Sequence, residues 1–319
     1  MNENGMQEKQ ARLKALGLAV SRYDFVYVID GKNVNFNGNI DDDGAPKIDP
    51  VTGKARASNA MLNRLSRDYV LLTRGGVAGF DVFCKANTVR NYGIAAAYAE
   101  LGIDLSKAPE DPVDGKKRRT KGKGQESEVD RALALLCKGY WDVRVFGGVF
   151  TTGANAGALT GAVLPFTGET VDRVNVVNDT NFSCNVATEE EAEKQGGGTL
   201  TFGHRYCIHY GAMVYQGTVN PHWAAKSGMT ETDLALYWET LMLGFEQFMS
   251  EFKGRITARK LVVFKHASML GDCQSAKLFD RVTIQRKDPS RPASEWQDYS
   301  VLVNTNGLPK GMTVEEKIL

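Results

Sequence analysis

The chain has 319 residues, of which 42% are hydrophobic and 24% charged, enough apolar material for a sizeable core without disulfides or a structural metal. The net charge is only +1, which excludes attraction of a polyanion by overall charge, so any nucleic-acid surface must come from local clustering of Lys and Arg. The cysteines, Cys84, Cys137, Cys184, Cys207 and Cys273, are odd in number with no C-x-x-C pair, which argues against a disulfide framework or a cysteine zinc site and predicts reduced thiols.

Residues 1–22 read as an N-terminal extension without a signal-peptide core, and no later segment has the uninterrupted apolar length of a membrane span. A cytoplasmic protein with no membrane partner is the expectation. In YDFVYVID, Tyr23, Phe25, Tyr27 and Ile29 alternate with Asp24, Val26, Val28 and Asp30, the period of a strand. A loop rich in Asn, Asp and Gly follows. SNAMLNRLSRDYVLLT then predicts a helix capped by Ser58, with Met61, Leu62, Leu65, Tyr69 and Leu72 on one stripe and Asn63, Arg64 and Arg67 on the other.

From Pro109 the sequence EDPVDGKKRRTKGKGQESE lacks periodicity and predicts an exposed basic loop, with Lys116, Lys117, Arg118 and Arg119 as secondary nucleic-acid candidates. Ser127 and Asp130 have capping-box spacing before a short helix ended by Gly139. DVRVFGGVFTTG reads as an alternating strand running into glycines, where the backbone must closely approach a ligand or a neighbouring strand. VDRVNVV predicts a strand, NDTNFSCNVATEEEAEKQGGG a polar excursion that fits a projecting hairpin or a mobile arm, and TLTFGHRYCIHYGAMVYQGTV a long strand. Thr230 and Asp233 again have capping-box spacing, opening an amphipathic helix at DLALYWETLMLGFEQFMSEF; strands follow at RKLVVFKH, DRVTIQRKD and YSVLVNT. The order predicts an α+β fold of the ferredoxin or RNA-recognition kind, elaborated by insertions.

The acidic loop invites a calcium reading, which fails on spacing. Gly44 at position 6 of an EF-hand loop leaves Pro50 at position 12, and Gly38 there leaves Gly44, so the bidentate Glu is missing in both frames. The chain has no G-x-x-x-x-G-K-[ST], H-E-x-x-H or G-x-S-x-G pattern, and no metal or cofactor is expected. Ordered cations are Arg64, Arg67, and Lys265 with His266. Phe202, beside Gly203, His204 and Arg205, offers an aromatic that could stack on bases.

Taken together, YDFVYVIDGKNVNFNGNIDDDGAPKIDPVTG, LNRLSRDYV, DVRVFGGVFTTG, EAEKQGGGTLTFGHR, YGAMVYQG and RKLVVFKHASMLGDCQSAKLFDRVTI resemble the CRISPR-associated backbone subunit of type I Cascade complexes, in the RAMP superfamily, and most of all its type I-C version. The resemblance runs from Tyr23 nearly to the end. It implies a modified RNA-recognition palm over 23–319, with an inserted basic loop at 110–126 and a thumb hairpin at roughly 175–205. It also implies a non-catalytic subunit that polymerises along a CRISPR RNA, pairs with target DNA through the guide and meets other Cascade subunits. Carried over by position, the RNA-binding residues are Asn35, Asn37, Gly38, Arg64, Arg67, Phe146, Gly147, Gly148, Phe202, Gly203, His204 and Arg205, to which Lys265 is added as an ordered cation at a strand end. Asn63 and Asn39 depart from the family pattern, which often has Lys and Asp there. A type III-like RNA endonuclease using Asp41, Asp42 or Asp43 with a metal is the competing expectation.

Overall fold

A computed structural model describes residues 3–109, 112–113, 117–119, 127–197, 201–249 and 254–318. In chain order, helix α1 (Glu3–Ala15) precedes strand β1 (Tyr23–Val34), strand β2 (Lys54–Ala57) and helix α2 (Asn59–Arg74). Helices α3 (Arg90–Glu100), α4 (Glu128–Gly139) and α5 (Trp141–Phe146) lead to strands β3 (Gly168–Arg173), β4 (Val176–Ser183) and β5 (Thr201–Val219). Helix α6 (Glu231–Gln247) and strands β6 (Arg255–Lys265), β7 (Val282–Arg286), β8 (Tyr299–Val303) and β9 (Thr313–Ile318) follow, with shorter strands and helices between these elements.

The main sheet runs β9-β6-β1-β5-β3-β2, all antiparallel. Its middle four strands, with α2 between β1 and β3 and α6 between β5 and β6, make the βαββαβ unit of the ferredoxin and RNA-recognition folds. The expected α+β class is therefore what the chain adopts. Both helices lie on one face: Leu62, Leu65, Tyr69, Leu234, Tyr237, Trp238 and Leu241 share a core with Phe25, Tyr27 and Ile29. Phe25 stands edge-on to Trp238, ring centroids 5.2 Å apart, a geometry worth about 0.5–1.5 kcal/mol beyond area burial.

The alternation in YDFVYVID assigns the two faces correctly, and both are covered. Asp24 and Asp30, on the outer face, are buried because residues 266–303 fold over them. Asp24 Oδ2 lies 2.7 Å from His266 Nε2, and Asp30 takes Tyr210 Oη at 2.8 Å and Arg259 Nε at 2.7 Å. Buried carboxylates persist only with such partners.

Both capping boxes form. The Ser127 and Thr230 hydroxyls accept from the N–H of Asp130 and Asp233, each at 3.1 Å, while those carboxylates reach back to the cap N–H. Several expectations fail. Residues 141–146 form a helix, not a strand: DVRVF is too short for period 2 to discriminate. Its two charged side chains are fixed by tertiary partners, Asp142 by Arg67 and Arg144 by a two-pronged bond to Asp233 at 2.9 and 2.7 Å. Leu72, placed on the buried stripe of α2, is 60% exposed, because Ser66 and Val70 take the inward positions. Helix α3 and strands β2 and β9 were not read from the sequence. The N-terminal segment closes onto the domain, with Ala19 N–H donating to the Met229 carbonyl at 3.0 Å. The polar excursion is a hairpin in which β4 pairs with the first half of β5, from Ile208↔Val176 to Thr201↔Ser183.

Candidate nucleic-acid interface

β1 ends at Val34 and hands the chain to the Asn-rich loop, anchored by the buried Phe36. Asn35 Nδ2 donates to the Gly44 carbonyl at 2.7 Å and to the Tyr206 carbonyl on β5 at 3.2 Å. Asn37 Oδ1 accepts from the Ser58 N–H at 3.3 Å and its hydroxyl at 3.0 Å. Ser58 occupies the N-cap position of α2 without a side-chain cap bond, because its hydroxyl holds Asn37 instead. Gly38 bridges to Pro46, and a Cβ there would stand 2.7 Å from the Gly44 carbonyl oxygen. Both asparagines thus shape the loop, and Asn37 Nδ2 reaches the Gly38 carbonyl at 3.2 Å.

The loop, α2 and the end of α6 enclose a cleft of about 290 Å³. Its rim carries Asn35, Asn37, Gly38 and Arg64, and its walls include Leu65, Phe245, Phe248 and Met249. Arg64 is paired within its helix to Asp68, Nε to Oδ2 2.6 Å, with 56% of its side chain exposed. A partly exposed i,i+4 pair of this kind is worth about 0.3–0.5 kcal/mol, so it can be exchanged for a phosphate cheaply. The aromatic and thioether wall was missed from sequence, although FEQFM continues the apolar spacing past the helix end.

Arg67 points elsewhere. Its Nε donates to Asp142 Oδ2 at 2.8 Å and its guanidinium carbon lies 5.3 Å from the Phe146 ring centroid. Phe146 in turn packs edge-on against Trp141 and Tyr237, at 5.5 and 5.9 Å. Gly147 has φ +63°, and a Cβ there would collide with the Leu159 carbonyl; at Gly148 it would stand 2.8 Å from the Phe150 ring. The glycines of this stretch therefore serve approach between neighbouring strands, 147–149 pairing with 158–160.

Lys265 pairs in register with Tyr23, at the start of β1, whereas Asn35 follows its end. Twelve residues of strand separate them by roughly 36 Å, so Lys265 belongs to the far end of the sheet. It covers the Tyr23 ring at 5.8 Å. The neighbouring His266 is buried and accepts from the Asp272 N–H at Nδ1, 2.8 Å, which leaves Nε2–H to donate to Asp24. It is not the exposed cation the sequence suggested.

On the hairpin, Phe202 stands opposite Phe182 in the backbone register. Gly203 faces open space. His204 is exposed, Nδ1 3.4 Å from Thr180 Oγ1. Arg205 lies 3.8 Å from Asp179 with its side chain only 11% exposed, more covered than a free phosphate contact would be. In the basic segment, Lys116 lies outside the described residues. Lys117 pairs with Val113 in a two-stranded ribbon, and Arg119 is exposed. Arg118, expected on an exposed loop, is buried, 2.5 Å from Glu128 and 5.1 Å from the Tyr98 ring centroid. Among the described residues no three His, Cys, Asp or Glu side chains gather as a metal site would, and Asp41 and Asp42 lie exposed on a single 3-10 turn. Among the described residues no helix is long and apolar enough to cross a membrane.

An RNA-recognition-type sheet, with a polar loop and an arginine helix meeting over a cleft, defines an α+β protein built like the nucleic-acid-binding palms. The chain belongs to the family of the CRISPR-associated protein Cas7, whose family model matches residues 21–304. No curated protein matches it. Among solved structures it is similar to a chain of "CRISPR RNA-guided surveillance complex, pre-nicking" at 16% identity, covering 76% of this chain and 78% of that one with a TM-score of 0.48. It is similar to a chain of a second "CRISPR RNA-guided surveillance complex" at 15% identity, covering 76% and 68%, TM-score 0.40. A third, from "Type III-B Cmr-beta bound to cognate target RNA", shares 9% identity over 82% and 65%, with a TM-score of 0.41.

Proposed function

We propose that this protein is a non-catalytic CRISPR RNA-binding subunit that polymerises along the guide to form the spine of a type I Cascade surveillance complex in the cytoplasm, close to the type I-C version. In this reading the domain at 23–319 is the palm, the hairpin at 175–205 the thumb, and the segment at 110–126 an inserted basic loop. The carrying observation is the meeting of Asn35, Asn37, Gly38 and Arg64 around one cleft in a chain of the Cas7 family. The asparagines and Gly38 hold the loop rigid, its backbone and Arg64 face the phosphates, and the guide's base edges stay free for target DNA. Arg67, Phe146, Gly147 and Gly148 support this surface from behind, and Gly203 with His204 lies on the thumb.

Expression with and without a neighbouring CRISPR array tests the reading. RNA of guide length and a multi-copy assembly should appear together and only with the array. Monomeric, RNA-free protein in both cases would overturn it. The competing reading, a type III-like endonuclease, is favoured by the exposed Asp41 and Asp42 beside the loop. It requires metal-dependent cleavage of a guide-paired RNA, lost on Asp41→Asn or Asp42→Asn.

A further inference from the structure

The outer face of the sheet, away from α2 and α6, carries a second collection of cations that the cleft does not use. In an RNA-recognition fold this face stacks bases on two or three aromatics. Here the aromatics are engaged with one another on one half of it: Tyr299 lies 6.4 Å from Tyr210 and 6.1 Å from Trp296, centroid to centroid. The other half, over β2, β3 and β5, is a groove of about 470 Å³ lined by Lys54, Arg56, Glu169, Val214, Gln216 and Ile284. Its floor is aliphatic and amide, so it offers bases nothing to stack on.

Lys54 and Arg56 make this groove basic, and Arg173 stands next to it, outside its lining. Lys54 pairs with Arg173 across β2 and β3, and beyond a register shift Arg56, two residues along β2 and on the same face, pairs with Glu169. Like charges directly opposite on antiparallel strands are destabilising. The Arg173 side chain lies against Gly53, φ +68°, where a Cβ would run into it. On the open side of β2, Lys47 runs alongside Arg56, whose N–H donates to the Lys47 carbonyl at 2.8 Å. Four cations thus share the ribbon with three carboxylates, of which Asp172 is taken by Tyr299 and Arg286, at 2.7 and 3.4 Å. Among the described residues Glu169 reaches only Lys54, at 3.8 Å, and Asp49 is turned into its own loop, Oδ1 accepting from the N–H groups of Val51 and Thr52 at 2.9 Å each, with the Arg56 charge acting on it less than those bonds do. Among the described residues neither Arg56 nor Arg173 has a carboxylate within 4.0 Å.

We propose that Lys54, Arg56 and Arg173 form a second nucleic-acid site, one that binds the phosphate backbone of a DNA strand, separately from the guide RNA, without reading its sequence. Cations at successive same-face positions of β2 stand about 6.7 Å apart. The unstacked aliphatic floor makes the contact one of charge alone. The proposal rests on the guide-binding reading for the presence of nucleic acid, and it concerns a face that the guide cleft does not share.

The test uses the guide-loaded assembly, comparing unsubstituted protein, the triple variant Lys54→Ala/Arg56→Ala/Arg173→Ala, and Glu169→Gln. Unrelated single-stranded DNA is the probe, and guide RNA content is measured alongside. The triple variant should keep its guide and bind the DNA about tenfold or more weakly, with a log–log salt slope shallower by about 2, near 0.7 for each lost contact. Glu169→Gln, which removes the carboxylate that Lys54 reaches among the described residues, should bind the DNA more tightly, a gain that a merely structural role for these residues would not give. Unchanged DNA binding with the guide retained would overturn the proposal and leave the guide reading standing. Loss of the guide would place these residues in guide binding instead and overturn it too. Smaller assemblies with unchanged DNA affinity would assign the ribbon to an acidic protein surface, also against it. RNA-free unsubstituted protein would remove the guide reading and this proposal together.

Discussion

Arg67 Nε donates to the buried carboxylate of Asp142 at 2.8 Å, and the same carboxylate accepts the N–H groups of Phe83 and Cys84 at 2.7 and 3.1 Å. Arg64, one turn earlier on the same helix, is more than half exposed at the cleft rim. Two arginines that look equivalent in LNRLSRDYV therefore do different work. Arg67 anchors α2 to α5 and to the 80–84 segment, and Arg64 is available to a ligand.

Stability should separate them. Arg67→Ala leaves Asp142 buried beside two N–H donors and no cation, and is expected to cost about 3 kcal/mol in urea unfolding. Arg64→Ala should stay within about 0.5 kcal/mol. Equal losses would contradict the assignment.

Glycine substitutions sort in the same way. Gly147→Ala forces a left-handed residue against the backbone of 159–161 and should destabilise by roughly 2–4 kcal/mol. Gly203→Ala meets open space and should change stability by less than about 0.5 kcal/mol. Thermal melts of the two variants decide this.

Several tyrosines make the fold sensitive to alkali. Burial pushes Tyr98 up to about 12, partly opposed by Arg118; Tyr23 also rises to about 12, by burial and then the Glu231 charge. Their folded values lie above the unfolded value of about 10, so the neutral phenol favours the native state. That stability is complete below about pH 10 and is lost as pH rises toward 12. Urea midpoints should fall steeply across this window, tracking tyrosinate absorbance, and Tyr98→Phe should flatten the fall. A midpoint flat through the window would contradict the burial of these rings.

The thiols should react in order of exposure. Cys184 is exposed, whereas burial raises the Cys137 thiol to about 11 and raises Cys84 as well. A maleimide at neutral pH should label Cys184 first and the buried Cys207 last by peptide mass mapping. Labelling of Cys137 ahead of Cys184 would count against this packing.

Much of the framework was legible because it rests on local signals. The alternation of residues 23–30 and the two capping boxes placed β1, α4 and α6, and the strand–helix order indicated the α+β unit. The segment at 141–146 was misread because six residues of alternating character fit either period, and only the partners Arg67 and Asp233 decide it. For the site, the sequence named Asn35, Asn37, Gly38 and Arg64, which the fold brings together. It also grouped Lys265 with them, about 36 Å away along β1, since a strand end in sequence does not say which end of the sheet it reaches. Arg118 could not be told from its exposed neighbours, because its burial depends on Glu128 and Tyr98. The Lys54–Arg173 pair appears only once the register of β2 and β3 is known.

The central claim is that the cleft beside Arg64 grips a phosphate backbone, and the salt dependence of guide RNA binding tests it most directly. The logarithm of affinity should fall linearly with that of salt concentration, and Arg64→Ala should make the slope shallower by about 0.7, the value for one contact to a single strand. Binding that is insensitive to salt, or a slope unchanged by Arg64→Ala, would contradict it.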